Sequence, residues 1–143
     1  MRTVTLVVPA PPPPSLNVYL RMHWTLRRRL RRDWSDWLYA LREEAGRPAF
    51  VSADVTVRYF YRTAHRRDLD NAIPKLLFDA MVDCRLLEDD NPDCLRTQKV
   101  EIHVDRDRPR VEIEIRGEEL TAAEAERRSA AKAKAMLPKR GKR

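Results

Sequence analysis

Cysteine is scarce: Cys84 and Cys94 are the two in 143 residues. Together with three dispersed histidines, His23, His65 and His103, they do not make a zinc cluster, whose ligands come in close pairs. A disulfide between them is one alternative, and two free thiols in a cytoplasmic chain is the expectation. No apolar run approaches the roughly 20 residues that span a bilayer, so no membrane association is expected. Residues 3–8 are too short for the apolar part of a secretory signal, and prolines follow at once. Internal repeats are absent. Acid is missing from both ends: residues 1–32 hold seven arginines and no Asp or Glu, and residues 127–143 hold eight Lys or Arg and no acid. The net charge of +7 points to a polyanionic partner, most often nucleic acid. Without the last seventeen residues, 21 basic side chains face 22 acidic ones. The chain therefore has a basic front, an acidic middle and a basic tail.

Val4 to Val8 reads as a strand. "PAPPPPSLN" then forbids regular structure, because proline fixes φ and lacks the amide donor. "HWTLRRRLRRDWSDWLYALREEAG" predicts a helix whose core face is Leu26, Leu30, Trp34, Trp37, Leu38, Leu41 and Ala45, stopped by Gly46 and Pro48. The tryptophans fit packing better than base-stacking. Arg27, Arg28, Arg31 and Arg32 lie mostly off that face, either as a solvated surface or as phosphate contacts. Val51 to Tyr61 alternates as a half-buried strand. Val100–Ile102–Val104 and Val111–Ile113–Ile115 alternate on either side of "RDRPR" and predict a hairpin. Thr121 to Leu137 is predicted helical with a thin apolar face, extending away from the core, and "PKRGKR" disordered. These elements predict an α+β domain over residues 1–118: a mixed or antiparallel sheet with the Trp-rich helix and an Asp70–Cys84 helix packed on it. A basic helical or disordered C-terminal extension, 119–143, follows.

"HRRDLDNAIPKLLFDAM", His65 to Met81, holds the candidate chemistry. Asp68 and Asp70 are placed at a strand end and a helix start. In extended backbone, residues i and i+2 point to one side, so both carboxylates can face one point. Such oxygen ligands suit Mg²⁺ or Mn²⁺. Asn71, Lys75 and Asp79, spaced i, i+4, i+8, form a polar stripe, and Lys75 can stabilise charge on a phosphate under attack. Glu88-Asp89-Asp90 adds a second acidic group shortly after. A purely structural account is open too. Asp70 can cap the helix, Lys75 and Asp79 can form an i,i+4 pair worth about 0.3–0.5 kcal/mol, and Glu88 to Pro92 can be an ordinary turn. The two accounts imply different classes of protein: a metal-dependent nuclease, or a non-catalytic nucleic-acid binder.

The ordered set "PAPPPPSLNVYLR", "RRDLDN", a lysine, "FDAM" and "LLEDD" resembles the signature of the RusA-type Holliday junction resolvases, over roughly residues 3–116. The resemblance implies a small homodimeric endonuclease, dependent on Mg²⁺ or Mn²⁺, that resolves four-way DNA junctions by paired symmetric nicks. Many such enzymes are encoded by phages or prophages. By motif, Asp68 and Asp70 match the first two catalytic aspartates, Asp90 the third, and Lys75 the catalytic lysine. Lys75 follows Asn71 by four residues where the family has three, and Pro74 looks like the inserted residue. Expected contacts to branched DNA come from Arg27, Arg28, Arg31, Arg32, Arg66 and Arg67, and from Lys139, Arg140, Lys142 and Arg143 of the tail. Other branched structures of DNA are alternative substrates.

Overall fold

The computed structural model describes residues 1–68, 72 and 74–136. Asp70, Asn71, Lys139, Arg140, Lys142 and Arg143, singled out above, lie outside the described residues. The described chain runs β1 (Arg2–Val8), α1 (Leu16–Arg21), α2 (Trp24–Glu44), β2 (Phe50–Tyr61), α3 (Lys75–Asp83), β3 (Leu95–Val104), β4 (Arg110–Glu119) and α4 (Ala122–Ala135). It is an α+β fold with one four-stranded mixed sheet, ordered β1-β4-β2-β3.

Alternation builds the sheet. Val4, Leu6 and Val8 of β1, Ala53, Val55, Val57 and Tyr59 of β2, and Val111, Ile113 and Ile115 of β4 share one core with Trp34 and Leu38 of α2 and Leu76, Leu77, Phe78, Ala80 and Met81 of α3. The intervening residues form a polar face of ion pairs. Arg58 meets Glu101 at 3.2 Å and Glu114 at 3.7 Å. Burying one face and solvating the other fixes register, since a one-residue slip would exchange them. At Gly117 the sheet tolerates no side chain: a Cβ there would overlap the Ser52 carbonyl oxygen and stand 2.6 Å from Ala53 Cα. This lies where the β2–β4 register shifts between Phe50 and Ser52.

The helix α2 ends as its glycine predicts. Gly46 has φ +88°, its amide donates to the Glu43 carbonyl and that of Arg47 to the Arg42 carbonyl, a Schellman arrangement. Buried Arg42 secures the exit into β2, its Nε donating to the Pro48 carbonyl at 2.7 Å.

Several expectations need correction. The β3–β4 hairpin does not form. β2 lies between the two strands, antiparallel to β4 and parallel to β3. Residues 105–109 cross the end of β2, where the Asp105 amide donates to the Tyr61 carbonyl. Five residues easily bridge the roughly 10 Å of two strand spacings, and alternation does not encode neighbour order. Leu26 and Trp37 are 48% and 43% exposed; the core stripe is narrower than the sequence pattern and passes through Leu30, Trp34, Leu38 and Leu41. Arg27 is half-buried, and its Nε has no hydrogen-bond partner among the described residues. A short helix, α1, begins right after the prolines, where Ser15 Oγ accepts from the Val18 amide. The second core helix starts at Lys75, with Pro74 at its N-cap. Proline suits a helix edge because it lacks the amide and restricts its predecessor. Finally, α4 reaches back to the domain: Arg128 donates to Glu88 Oε2 at 2.6 Å and Lys132 to the Glu88 carbonyl at 3.3 Å.

Candidate active site

β2 ends at Tyr61, so Asp68 is not at a strand terminus as the sequence suggested. It lies in the connection that leads toward α3. Arg67 organises this connection. Its guanidinium lies over the Tyr61 ring, 3.7 Å from the centroid, and donates to the carbonyls of Thr63 and His65 at 2.9 and 3.0 Å. Asp68 itself is exposed and has no cationic partner among the described residues.

Lys75 opens α3 and is exposed. Its Nζ stands 4.0 Å from Asp79 Oδ2, too long for a hydrogen bond, so its donors remain available. Asp79 is shared: Arg31 also approaches it at 4.0 Å. One turn further along α3, Asp83 takes a bidentate grip from Arg31, Nε to Oδ2 at 2.7 Å and NH2 to Oδ1 at 2.8 Å, with Ser35 Oγ donating at 3.1 Å. The hydrogen bond from Arg31 holds the Asp83 carboxyl below the ordinary carboxylate range. The pair ties α2 to α3 and fixes the height of Lys75 beside the core. A small cleft next to Lys75 is lined by Pro13, Pro14, Tyr19, Tyr59, Tyr61 and Pro74, which gives the site an aromatic wall.

The second acidic group lies elsewhere. Leu87 bridges to Phe50, the Glu88 amide donates to the Phe50 carbonyl, and the Ala53 amide donates to the Cys94 carbonyl. The loop 88–94 is therefore fixed at the start of β2. Asp89 is used locally: its carboxylate accepts from the Asp90 amide and from Asn91 Nδ2, and the first of these keeps its carboxyl below the usual range. Glu88 is paired with Arg128. Asp90 is exposed and, among the described residues, has no cationic partner. Among the described residues, no three His, Cys, Asp or Glu side chains converge as a metal-holding group. Asp68 follows the end of β2, whereas Asp90 sits in the loop tied to the start of β2.

The arginines divide by role. Arg31 and Arg67 hold the protein together, as described. Arg28, Arg32 and Arg66 are exposed and form no ion pair among the described residues; Arg28 lies 5.7 Å from the Trp24 ring centroid. The bracing roles of Arg31 and Arg67 were missed by sequence reasoning, because their partners are remote acids or backbone carbonyls that carry no motif. Cys84 and Cys94 are both free and buried, and burial pushes the Cys84 thiol up to about 11. No described helix is long and apolar enough to cross a membrane. No protein-family model matches the chain, and no curated protein matches it.

Proposed function

We propose that the chain is a RusA-like endonuclease, dependent on a divalent metal, that resolves four-way DNA junctions as a homodimer. The observation that carries this reading is a contrast within the motif region. Asp79, Asp83 and Glu88 are all ion-paired, whereas Asp68 and Asp90 are exposed and, among the described residues, without a cationic partner in a chain rich in arginine. Carboxylates left bare among so many bases are suited to take an external cation. Asp68, Asp70 and Asp90, with Asp89 beside them, are the ligand set, and Mg²⁺ or Mn²⁺ is the ion their oxygens suit. Such an ion lowers the pKa of a water and offsets the charge that develops on a phosphate.

The chain's own groups supply the rest. Lys75 offers Nζ to a phosphate oxygen from the first turn of α3, steadied but not consumed by Asp79. Arg28, Arg32 and Arg66 are free to meet the backbone of the duplex arms, and the tail adds a sequence-independent attraction. A four-way junction has two-fold symmetry, and a two-fold homodimer presents two equivalent cutting centres to it. Free buried thiols fit a cytoplasmic location.

A second reading is favoured by the separation of Asp68 from Asp90 along the strand: a non-catalytic binder of branched DNA whose acids are structural. Cleavage of a synthetic four-way junction against linear duplex, over a Mg²⁺ titration, decides between them. The nuclease reading expects paired nicks on the junction only when Mg²⁺ or Mn²⁺ is present, lost in Asp68→Asn. Binding without cleavage at every metal concentration leaves the second reading.

A further inference from the structure

The start of β2 brings two distant segments to one edge of the sheet. The Leu120 amide donates to the Ala49 carbonyl and the Glu88 amide to the Phe50 carbonyl, so α4 leaves the sheet beside the loop 88–94. The helix has fourteen residues, roughly 21 Å at about 1.5 Å per residue. Ala125, Arg128, Ser129 and Lys132 recur at i, i+3, i+4 and i+7, which is one helical face. Ala125 and Ser129 are half-buried, Arg128 and Lys132 reach Glu88, and the remaining described side chains of α4 are exposed. That face turns toward the domain, yet its only apolar side chain is an alanine. No described α4 residue joins the hydrophobic core. The helix is held there chiefly by charge.

Such a contact is weak by construction. The Arg128 and Glu88 side chains are 49% and 35% exposed, and an exposed pair biases the attached state by about fivefold at most. Salt screens it further. A phosphodiester backbone offers the same two cations a dense row of anions, and its binding releases condensed counterions as well. Arg128 cannot serve both partners at once: a phosphate set against its guanidinium would stand beside the Glu88 carboxylate, anion against anion. We propose that α4 is a latch on the acidic loop that DNA releases. In the free protein Arg128 and Lys132 hold Glu88. On DNA they exchange it for phosphates, and the loop that carries Asp89 and Asp90 loses the two cations beside it. The consequence for catalysis rests on the nuclease reading above: the loop that supplies Asp90 gains attraction for a divalent cation only when substrate is present, a coupling between metal and DNA. The release itself needs no cleavage.

Full-length chains test the exchange in two ways, both without Mg²⁺ so that no DNA is cut. Ala131→Cys, at an exposed position of α4, carries a nitroxide, while Cys84 and Cys94 are buried and stay unlabelled. At low salt the spin label should broaden the backbone amide signals of Glu88 to Asn91, and saturation with a short DNA duplex should abolish the broadening. Broadening absent from the free protein, or unchanged by DNA, overturns the latch. Affinity supplies the second measurement. Removing a latch raises DNA affinity, because the cations no longer have to be withdrawn from Glu88. Glu88→Gln should therefore bind the duplex about fivefold tighter than Asp93→Asn. The latter deletes an equal charge from an exposed position of the same loop that has no ion pair among the described residues. In the background Arg128→Ala/Lys132→Ala the two substitutions should have equal effects. Equal gains with Arg128 and Lys132 in place overturn the proposal. Junction nicking is measured separately with Mg²⁺: its absence removes the nuclease reading, while the two latch measurements still decide whether DNA releases α4.

Discussion

Ending the chain at Glu126 removes eight positive charges and no negative one, and the structure sets how much DNA affinity that should cost. Arg128 and Lys132 are four residues apart on one face of α4, and both engage Glu88. The tail holds six further basic residues, Arg127, Lys134, Lys139, Arg140, Lys142 and Arg143. Each phosphate neutralised on duplex DNA contributes about −0.9 to the slope of log affinity against log salt. If the six all meet phosphates, truncation makes the slope shallower by about 5, and by about 7 if Arg128 and Lys132 let go of Glu88 to join them. Between about 50 and 200 mM salt, the smaller figure means the full chain loses roughly 10³-fold more affinity than the truncated one. The Arg128–Glu88 pair is solvent-exposed and contributes little to folding, so the melting temperature should barely move. Fluorescence anisotropy with labelled junction and labelled duplex across the salt series reads the slope directly. Preference for junction over duplex should survive truncation, because it would come from the placement of two sites and the arginines of α2. An unchanged slope would refute the arm. Loss of dimerisation would instead make α4 an interface element.

Lys75→Ala should slow single-turnover cleavage by about 10², the scale of losing one donor to a developing charge, with junction affinity nearly unchanged. Its 4.0 Å approach to Asp79 is too loose for the substitution to lower the melting temperature much, so normal cleavage with slight destabilisation would reduce Lys75 to a surface partner. Asp83→Asn tests the α2–α3 brace by its pH dependence. The Arg31 hydrogen bond depresses the folded-state carboxyl, so its contribution is present above the unfolded value near 3.9 and is lost as pH falls through the folded one. Wild type should therefore lose melting temperature more steeply than the variant below about pH 4; parallel acid limbs would contradict this. Gly117→Ala drives a Cβ into the backbone of Ser52 and Ala53, an overpacking that should cost about 1–3 kcal/mol or more by urea denaturation.

What could be read from the sequence was what local chemistry decides. The alternation of β1, β2 and β4 was legible because each buries one face only, and the C-terminal end of α2 because Gly46 supplies the left-handed turn. The thickness of the α2 core stripe was not. Leu26 and Trp37 match the helical period, yet nothing among the described residues covers them fully, since periodicity reports which face can be buried and not how wide the neighbouring layer is. Strand order was hidden for a similar reason. β3 and β4 each carry a valid two-residue pattern, and that pattern is the same whether they pair with each other or flank β2. The consequence reaches the site. With a hairpin, the 88–94 loop would not be tied to the strand that leads into Asp68, and the motif could be imagined as one cluster. With β2 and β3 parallel, the same motif is stretched over the length of the sheet. Asp68 and Lys75 fall at one edge of the molecule and Asp90 at the other, with paired acids between them.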